Sequence, residues 1–212
     1  MIKGIVFDFD GVILETAEVK TNAFKRLFQN HPDKLEEIVE YHRENMGISR
    51  FVKFRHIHEH ILKSPFTDDA EEVLGEQFRS LVFDEVVSAP FVPGALEFLR
   101  DYQNRYLFFV ASGTPEGELL EIAEKRQLSS YFKEWHGSPK EKHEILSDIL
   151  KRHRFNASEI LMVGDNLERD VKGAKALGMK TALAKYGQVL NLDSKEKADF
   201  ELEKFSDILG IL

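Results

Sequence analysis

The chain opens on a short apolar run, Ile5-Val6-Phe7, which breaks off at Asp8-Phe9-Asp10-Gly11. An unbroken apolar run of this length, closed by a glycine, predicts a strand buried on both faces. Between residues 16 and 86 no strand candidate of any strength follows, and the apolar positions recur at helical spacing instead. Val19, Ala23, Leu27 and Phe28 predict a helix over residues 16–28, and Leu35, Ile38, Val39 and Tyr41 a second, from Pro32-Asp33 to near Gly47. Phe51, Phe54, Ile57, Ile61 and Leu62 form the stripe of a third helix capped by Ser49. After a break at Pro65, Thr67 or Asp68 caps a fourth, with Val73, Leu74, Phe78, Leu81 and Val82 as its stripe. The rhythm changes at Ala89-Pro90-Phe91-Val92-Pro93-Gly94, a joint punctuated by proline and glycine.

Helices and strands then alternate. A helix over 95–102 leads to a strand over 107–111, and Thr114-Pro115 starts a helix with threonine as cap and proline in first position. A short strand near 134–136 precedes a helix opened by the capping box Ser138-Pro139-Lys140-Glu141 and running to about residue 153. A strand over 160–163, a helix carrying Val171, Ala174 and Leu177 and stopped by Gly178, and a strand over 180–184 come next. Asp199-Phe200 reads as an edge strand, residues 205–209 as a last helix, and Lys195-Glu196-Lys197 as a solvated loop. This alternation predicts an α/β fold with a doubly wound, Rossmann-like parallel sheet. The first strand belongs to that sheet, so the helical block is an insertion: a core of residues 1–15 and 88–212, and a helical cap of residues 16–87.

Composition narrows the class. With 212 residues, 42% hydrophobic and 31% charged, the chain fits a soluble globular protein with one core and a smaller second unit. A net charge of −8 argues against nucleic acid and anionic membranes as partners, while leaving room for a local basic pocket. The lack of any cysteine removes disulfides, thiol catalysis and cysteine metal sites. The first apolar run is too short and too acidic for a leader, and no stretch reaches membrane-spanning length. A cytoplasmic monomer is the plain expectation.

Ligands of an open parallel sheet sit beyond the carboxyl ends of its strands. Three predicted strands end there in polar residues: Asp8 and Asp10, Ser112-Gly113-Thr114, and Gly164-Asp165 with Asp170 five positions on. The helix opened by Ser138 adds Lys140 and Lys142. Side chains at i and i+2 of a strand point the same way, so Asp8 and Asp10 suit a metal site or paired acid–base work. Any one of these clusters reads equally well as a turn; their convergence on one sheet edge does not. Lys142 shares a face with Ile145, Leu146 and Ile149, whereas Lys140 lines up with Glu144, Ser147 and Lys151. Helical period therefore favours Lys142, with Lys140 as the alternative.

The ordered set Asp8-x-Asp10, Ser112, a lysine near 140 and Gly164-Asp165-x4-Asp170 resembles the haloacid dehalogenase superfamily of phosphohydrolases over essentially the full length. Within it the resemblance is to the phosphoglycolate phosphatase and β-phosphoglucomutase-like branch with a helical cap. It implies that Asp8 attacks phosphorus to give an aspartyl-phosphate, and that Asp10 protonates the leaving oxygen and then activates water. It implies Mg2+ held by the Asp8 carboxylate, the Asp10 backbone carbonyl and Asp165, with Asp170 orienting that shell. Ser112, Gly113 and Thr114 are expected on phosphoryl oxygens and the lysine on the developing charge. Relatives divide over the position of that lysine. Those that cleave carbon–halogen or carbon–phosphorus bonds lack an aspartate matching Asp10, so the expectation is phosphate-ester chemistry on a small phosphorylated metabolite. Phosphatase comes first, phosphomutase second, and a non-catalytic binding relative third.

The cap is expected to choose the substrate. Thr16 and Glu18, where the chain leaves the core, are candidates to face the cleft. Gly47-Ile48-Ser49-Arg50 resembles a cap loop in which an arginine meets the substrate's distal group. Arg50, Lys53 and Arg55, with His42 and Arg43, form a candidate anion-recognising patch, against the alternative of a solvated face paired with Glu40, Glu44 and Glu59. His56, His58 and His60 have metal-like spacing but no acidic third ligand, and read as surface or packing residues.

Overall fold

The computed structural model describes residues 1–186 and 197–212. β1 (Gly4–Phe7), β2 (Leu107–Pro115), β3 (Glu134–Ser138), β4 (Ile160–Gly164), β5 (Lys180–Ala184) and β6 (Phe200–Leu202) form one parallel sheet. Their order is β3-β2-β1-β4-β5-β6. β1 lies in the middle, with Gly4 opposite Leu107 on one side and Ile160 on the other, and all four of its residues are buried. The order reverses between β1 and β4, which opens a crevice at the carboxyl edge between them.

Period-two alternation divides the sheet's side chains between two cores. Val6, Phe109, Ala111 and Met162 face Ile145, Leu146, Ile149 and Ala174 on one side. Ile5, Phe7, Phe108, Val110, Leu161 and Val163 face Phe98, Leu99 and Phe205 on the other. Phe7 meets Phe98, Phe108, Phe132 and Phe205 at centroid distances of 5.7–6.3 Å. Burying one such ring is worth about 2–3 kcal/mol, so the strand that ends in Asp8 is anchored immediately before the site.

Between β1 and β2 the chain is helical: α1 (Ala17–Leu27), α2 (Leu35–Glu44), α3 (Arg50–His56) with a π-helical continuation over Ile57–Leu62, α4 (Asp68–Ser88) and α5 (Ala95–Tyr102). Two connections join the helical block to the sheet and run side by side. Leu14 bridges Phe91, Glu15 N–H donates to Pro90 O at 3.0 Å and Val92 N–H to Ile13 O at 3.0 Å. α6 (Glu116–Lys125), α7 (Lys142–His153) and α8 (Gly173–Ala176) complete the core. No helix among the described residues is long and apolar enough to cross a membrane.

Several element starts differ from expectation. β2 runs on to Pro115 and α6 begins only at Glu116, since the Thr114 hydroxyl reaches Asp10 instead of capping a helix. Ser112 is thus inside a strand, not at a helix start. Ser138 closes β3, and α7 starts at Lys142 with Glu141 and Glu144 as its capping box. Ser49 and Thr16 sit at N-cap positions without making a cap bond, whereas Thr67 does accept from Ala70 N–H. α2 begins at Leu35, later than Pro32. The helix after Gly164 starts as a π-helical turn, Leu167–Lys172, and the last helix is 3-10 over Phe205–Gly210. Lys195 and Glu196 of the expected loop lie outside the described residues.

Candidate active site

Asp8 continues β1 by one residue, its N–H donating to Val163 O at 2.8 Å, and so projects from the sheet's carboxyl edge. Its Oδ1 accepts from Phe9 N–H at 2.7 Å. Lys142, the first residue of α7, places Nζ 2.8 Å from Asp8 Oδ2 and 2.6 Å from Asp170 Oδ1. The ammonium is directed at Asp170: Asp8 Oδ2 has this charge beside it but accepts no well-aligned hydrogen bond. The other Asp170 oxygen accepts Asn166 N–H at 3.0 Å. Lys140, by contrast, is an exposed residue paired with Asp148 at 2.8 Å.

Asp8, Asp165 and Asp170 bring carboxylate oxygens within 4.8 Å of one another, all buried; no other group of this kind exists among the described residues. Three acids share one lysine, and the electrostatics follow. Burial pushes the Asp8 carboxyl up to about 7, Lys142 opposing and Asp170 and Asp10 adding to the rise. Burial, Asp8 and Asp170 drive Asp165 well above the ordinary carboxylate range. Lys142 is buried too, but its two acidic partners outweigh that and raise its proton affinity above that of a free lysine. An all-oxygen cluster with surplus negative charge and an under-used Asp8 oxygen fits a hard divalent cation. Asp170 has both oxygens engaged, which makes Asp8 and Asp165 the better-placed direct ligands.

Asp10 inhabits a different setting. Its Oδ1 accepts from Thr16 Oγ1 at 2.8 Å; its Oδ2 meets Lys20 Nζ at 2.5 Å, Thr114 Oγ1 at 3.0 Å and Ser112 Oγ at 3.4 Å. Lys20 also donates to Thr114 Oγ1 at 2.9 Å. Burial pushes Asp10 up, but the Lys20 charge and these hydrogen bonds outweigh it and hold the carboxyl below its ordinary value. Two acids one residue apart are therefore tuned in opposite directions.

The cap closes over this edge. Gly47, at φ +79°, belongs to the loop between α2 and α3; a Cβ there would lie 3.5 Å from Lys142 Nζ and 3.8 Å from Asp8 Oδ2. A Cβ on Gly113 would lie 2.4 Å from Gly47 O, so the cap loop and the end of β2 touch backbone to backbone. Asn166 Nδ2 donates to Met46 O at 2.9 Å, and the Arg50 guanidinium pairs with Glu118 of α6 at 2.7 Å, both side chains buried. Between them lies a narrow cleft of about 40 Å³, lined by Asp10, Lys20, His42, Lys53, Thr114 and Asp165, with Arg50 and Phe78 in its wall. Wider surface grooves, such as that beside Pro32, Leu35 and Arg43, lie away from the carboxylates.

The residues singled out in the sequence fall into four groups. Asp8, Asp10, Ser112, Gly113, Thr114, Lys142, Asp165 and Asp170 come together at one edge. Thr16 is fully buried and turned onto Asp10, while Glu18 is exposed on the outside. Of the basic patch, His42, Arg50 and Lys53 line the cleft; Arg43 does not, and Arg55 pairs with Glu71 at 2.9 Å on the surface. The histidines pack: His56 stacks on Tyr41 at 4.1 Å and His58 on Phe66 at 4.3 Å. Lys20, Glu118 and Asn166 escaped the sequence reading. For Lys20 a signal existed, since it stands one helical turn after Thr16 and shares its face.

Comparison with known proteins places these features. The model of the haloacid dehalogenase-like hydrolase family matches residues 2–178. A glyceraldehyde 3-phosphate phosphatase of Pyrococcus abyssi is 26% identical, the alignment covering all of this chain and 94% of that protein. Among solved structures, a predicted phosphoglycolate phosphatase from Haemophilus somnus 129PT superposes with a TM-score of 0.78 at 18% identity, covering 99% of this chain and 97% of that one. A β-phosphoglucomutase from Clostridium difficile gives 0.76 at 20% identity over 98% and 93%.

Proposed function

The chain belongs to the haloacid dehalogenase-like hydrolase family, and from that premise we propose that it is a magnesium-dependent phosphatase of small phosphorylated metabolites. Residues 16–87 are its cap, and residues 1–15 and 88–212 its catalytic core. The observation that carries this reading is the meeting of the Asp8, Asp165 and Asp170 carboxylates within 4.8 Å beside Lys142, with Asp10 held next to them by Thr16, Lys20 and Thr114. A carboxylate cluster with a separately hydrogen-bonded acid beside it supplies a nucleophile, a cation site and an acid–base partner.

In the first half of the reaction an Asp8 oxygen attacks phosphorus, the ester P–O bond breaks, and the leaving oxygen takes a proton from Asp10. In the second half water attacks the aspartyl-phosphate, gives its proton to Asp10, and the P–O bond to Asp8 breaks to release phosphate. Asp10 needs its ionised form for the second half, which Lys20 supports. An anionic substrate that draws Lys20 away raises Asp10's proton affinity for the first half. Lys142 holds Asp8 and Asp170 in register and offsets charge on the transferring group. Ser112 and the backbone of Gly113 and Thr114 lie where phosphoryl oxygens are bound. Asp8, the Asp10 carbonyl and Asp165 would hold Mg2+, which when bound draws off negative charge from the phosphoryl oxygens.

A screen of phosphorylated metabolites for phosphate release with Mg2+, using Asp8→Asn as the blank, tests the reading. Equal release by wild type and Asp8→Asn would end it. A phosphomutase activity is the second reading, supported by the Gly47 loop closing directly over Asp8; isomer formation without net phosphate release would establish it instead.

A further inference from the structure

Lys53 is a buried lysine with no acid to answer it. Only 3% of it is exposed, and among the described residues no carboxylate lies within ion-pair distance. Its Nζ contacts His42 Nδ1 at 3.1 Å and His42 O at 3.4 Å, and lies 5.5 Å from the centre of the Phe24 ring. The other cations in the cleft wall are engaged: Lys20 with Asp10 at 2.5 Å and Arg50 with Glu118 at 2.7 Å. Burial, with Lys20 close by, lowers the Lys53 ammonium to about 7 against the opposing charges of the more distant Asp10 and Asp165.

His42 points to the same conclusion by an independent route. Burial and Lys53 lower it to about 2, so the ring is neutral. With Nδ1 accepting from Lys53, its proton sits on Nε2, which is buried without a partner. Lys53 is therefore an ammonium without a paired carboxylate and His42 Nε2 a donor without an acceptor, and both residues line the cleft that Asp10 and Asp165 border. An apolar side chain in place of Lys53 would pack in the Phe24 cluster without this strain, so its presence calls for a ligand.

We propose that Lys53, steadied by His42, binds a second anionic group of the substrate, a carboxylate or a second phosphate, at a point removed from the phosphoryl group. The inference rests on the reading that the phosphoryl group is attacked by Asp8. It moves the expected anion contact from Arg50, whose charge Glu118 already matches, to a residue three positions further along the cap. It selects acidic phosphometabolites over neutral phosphosugars and phosphoaldehydes.

Matched pairs test it: phosphoglycolate against 2-hydroxyethyl phosphate, and propane-1,3-diol bisphosphate against 3-hydroxypropyl phosphate. For the wild-type enzyme with Mg2+, kcat/KM is expected to favour the charged member of one pair by roughly tenfold or more, the worth of a charge-assisted hydrogen bond; that pair identifies carboxylate or phosphate. Lys53→Met should bring the ratio to within about threefold of unity, and Lys53→Arg should retain most of it. An unchanged ratio in Lys53→Met, or a preference for the neutral member of both pairs, overturns the proposal. Calorimetry with the Asp8→Asn protein measures the same preference as binding, without turnover and without the Lys53 substitution. Preferential binding of a charged member, with no phosphate released from any compound by wild type, would sink the phosphatase reading and keep the anion site. Turnover without any preference would do the reverse.

Discussion

A lysine kept buried for a ligand should weaken the fold, and Lys53→Met measures by how much. In the folded protein the ammonium titrates near 7 against 10.5 for a free lysine. The folded value is the lower one, so the unfolded chain binds the extra proton and stability rises with pH between the two values. As a ceiling, the penalty is about 5 kcal/mol at pH 6, about 2 at pH 9 and under about 1 at pH 10.5. Methionine removes that penalty but also removes the donor to His42 Nδ1, a loss of about 1–3 kcal/mol that does not depend on pH. The variant should therefore be more stable than wild type by about 2 kcal/mol at pH 6–7, a rise in Tm of roughly 5 °C. The two should cross near pH 9, with the variant less stable above. Urea unfolding followed by the fluorescence of the sole tryptophan, Trp135, which is buried between Phe9 and Phe132, reads this directly. A gap that is constant with pH, or one that favours methionine more as pH rises, would refute the reasoning.

Further outcomes follow from the same geometry. Lys142→Met leaves Asp8, Asp165 and Asp170 clustered without a cation; it should lower kcat by about a hundredfold or more and reduce stability in EDTA by about 3–5 kcal/mol, with Mg2+ restoring part of that in thermal melts. Arg50→Met should destabilise by about 3 kcal/mol because Glu118 is left buried with only Arg79, at 4.0 Å, as a distant partner, and adding Glu118→Leu should recover most of it in urea melts. Removing Lys20 takes away the charge that holds Asp10 low, so Lys20→Met should move the basic limb of the kcat/KM profile, set by protonated Asp10 in the first half of the reaction, to higher pH. Gly164→Ala puts a Cβ 2.2 Å from Asp170 Cγ, and its kcat should drop while secondary structure by circular dichroism is kept.

Residues fixed by periodicity were readable from the chain. Lys142 is separated from Lys140 by helical phase alone, and the structure buries the first beside Asp8 and leaves the second at the surface with Asp148. The strand-end acids were readable because their apolar runs stop abruptly. Thr114 and Ser138 misled for one reason: each has the local signature of a cap, and a contact distant in sequence claims Thr114 before a helix can. Lys20 and Glu118 were hidden because their meaning comes from partners far along the chain, Thr114 and Arg50. Arg50 itself looked like a substrate anchor until Glu118 appeared opposite it.

The contact between Gly47 and Gly113 has an evolutionary consequence. The cap loop meets the end of β2 through main-chain atoms, so beyond the Arg50–Glu118 pair closure asks little of the side chains that follow Gly47. Two glycines and that ion pair are constrained, and the positions between them are left freer to drift. His42 and Lys53 lie on cap helices, and the acids that would do the chemistry lie on the sheet. A lineage built on this joint could exchange one metabolite for another through a few substitutions over residues 42–53, with the reaction passed on unaltered.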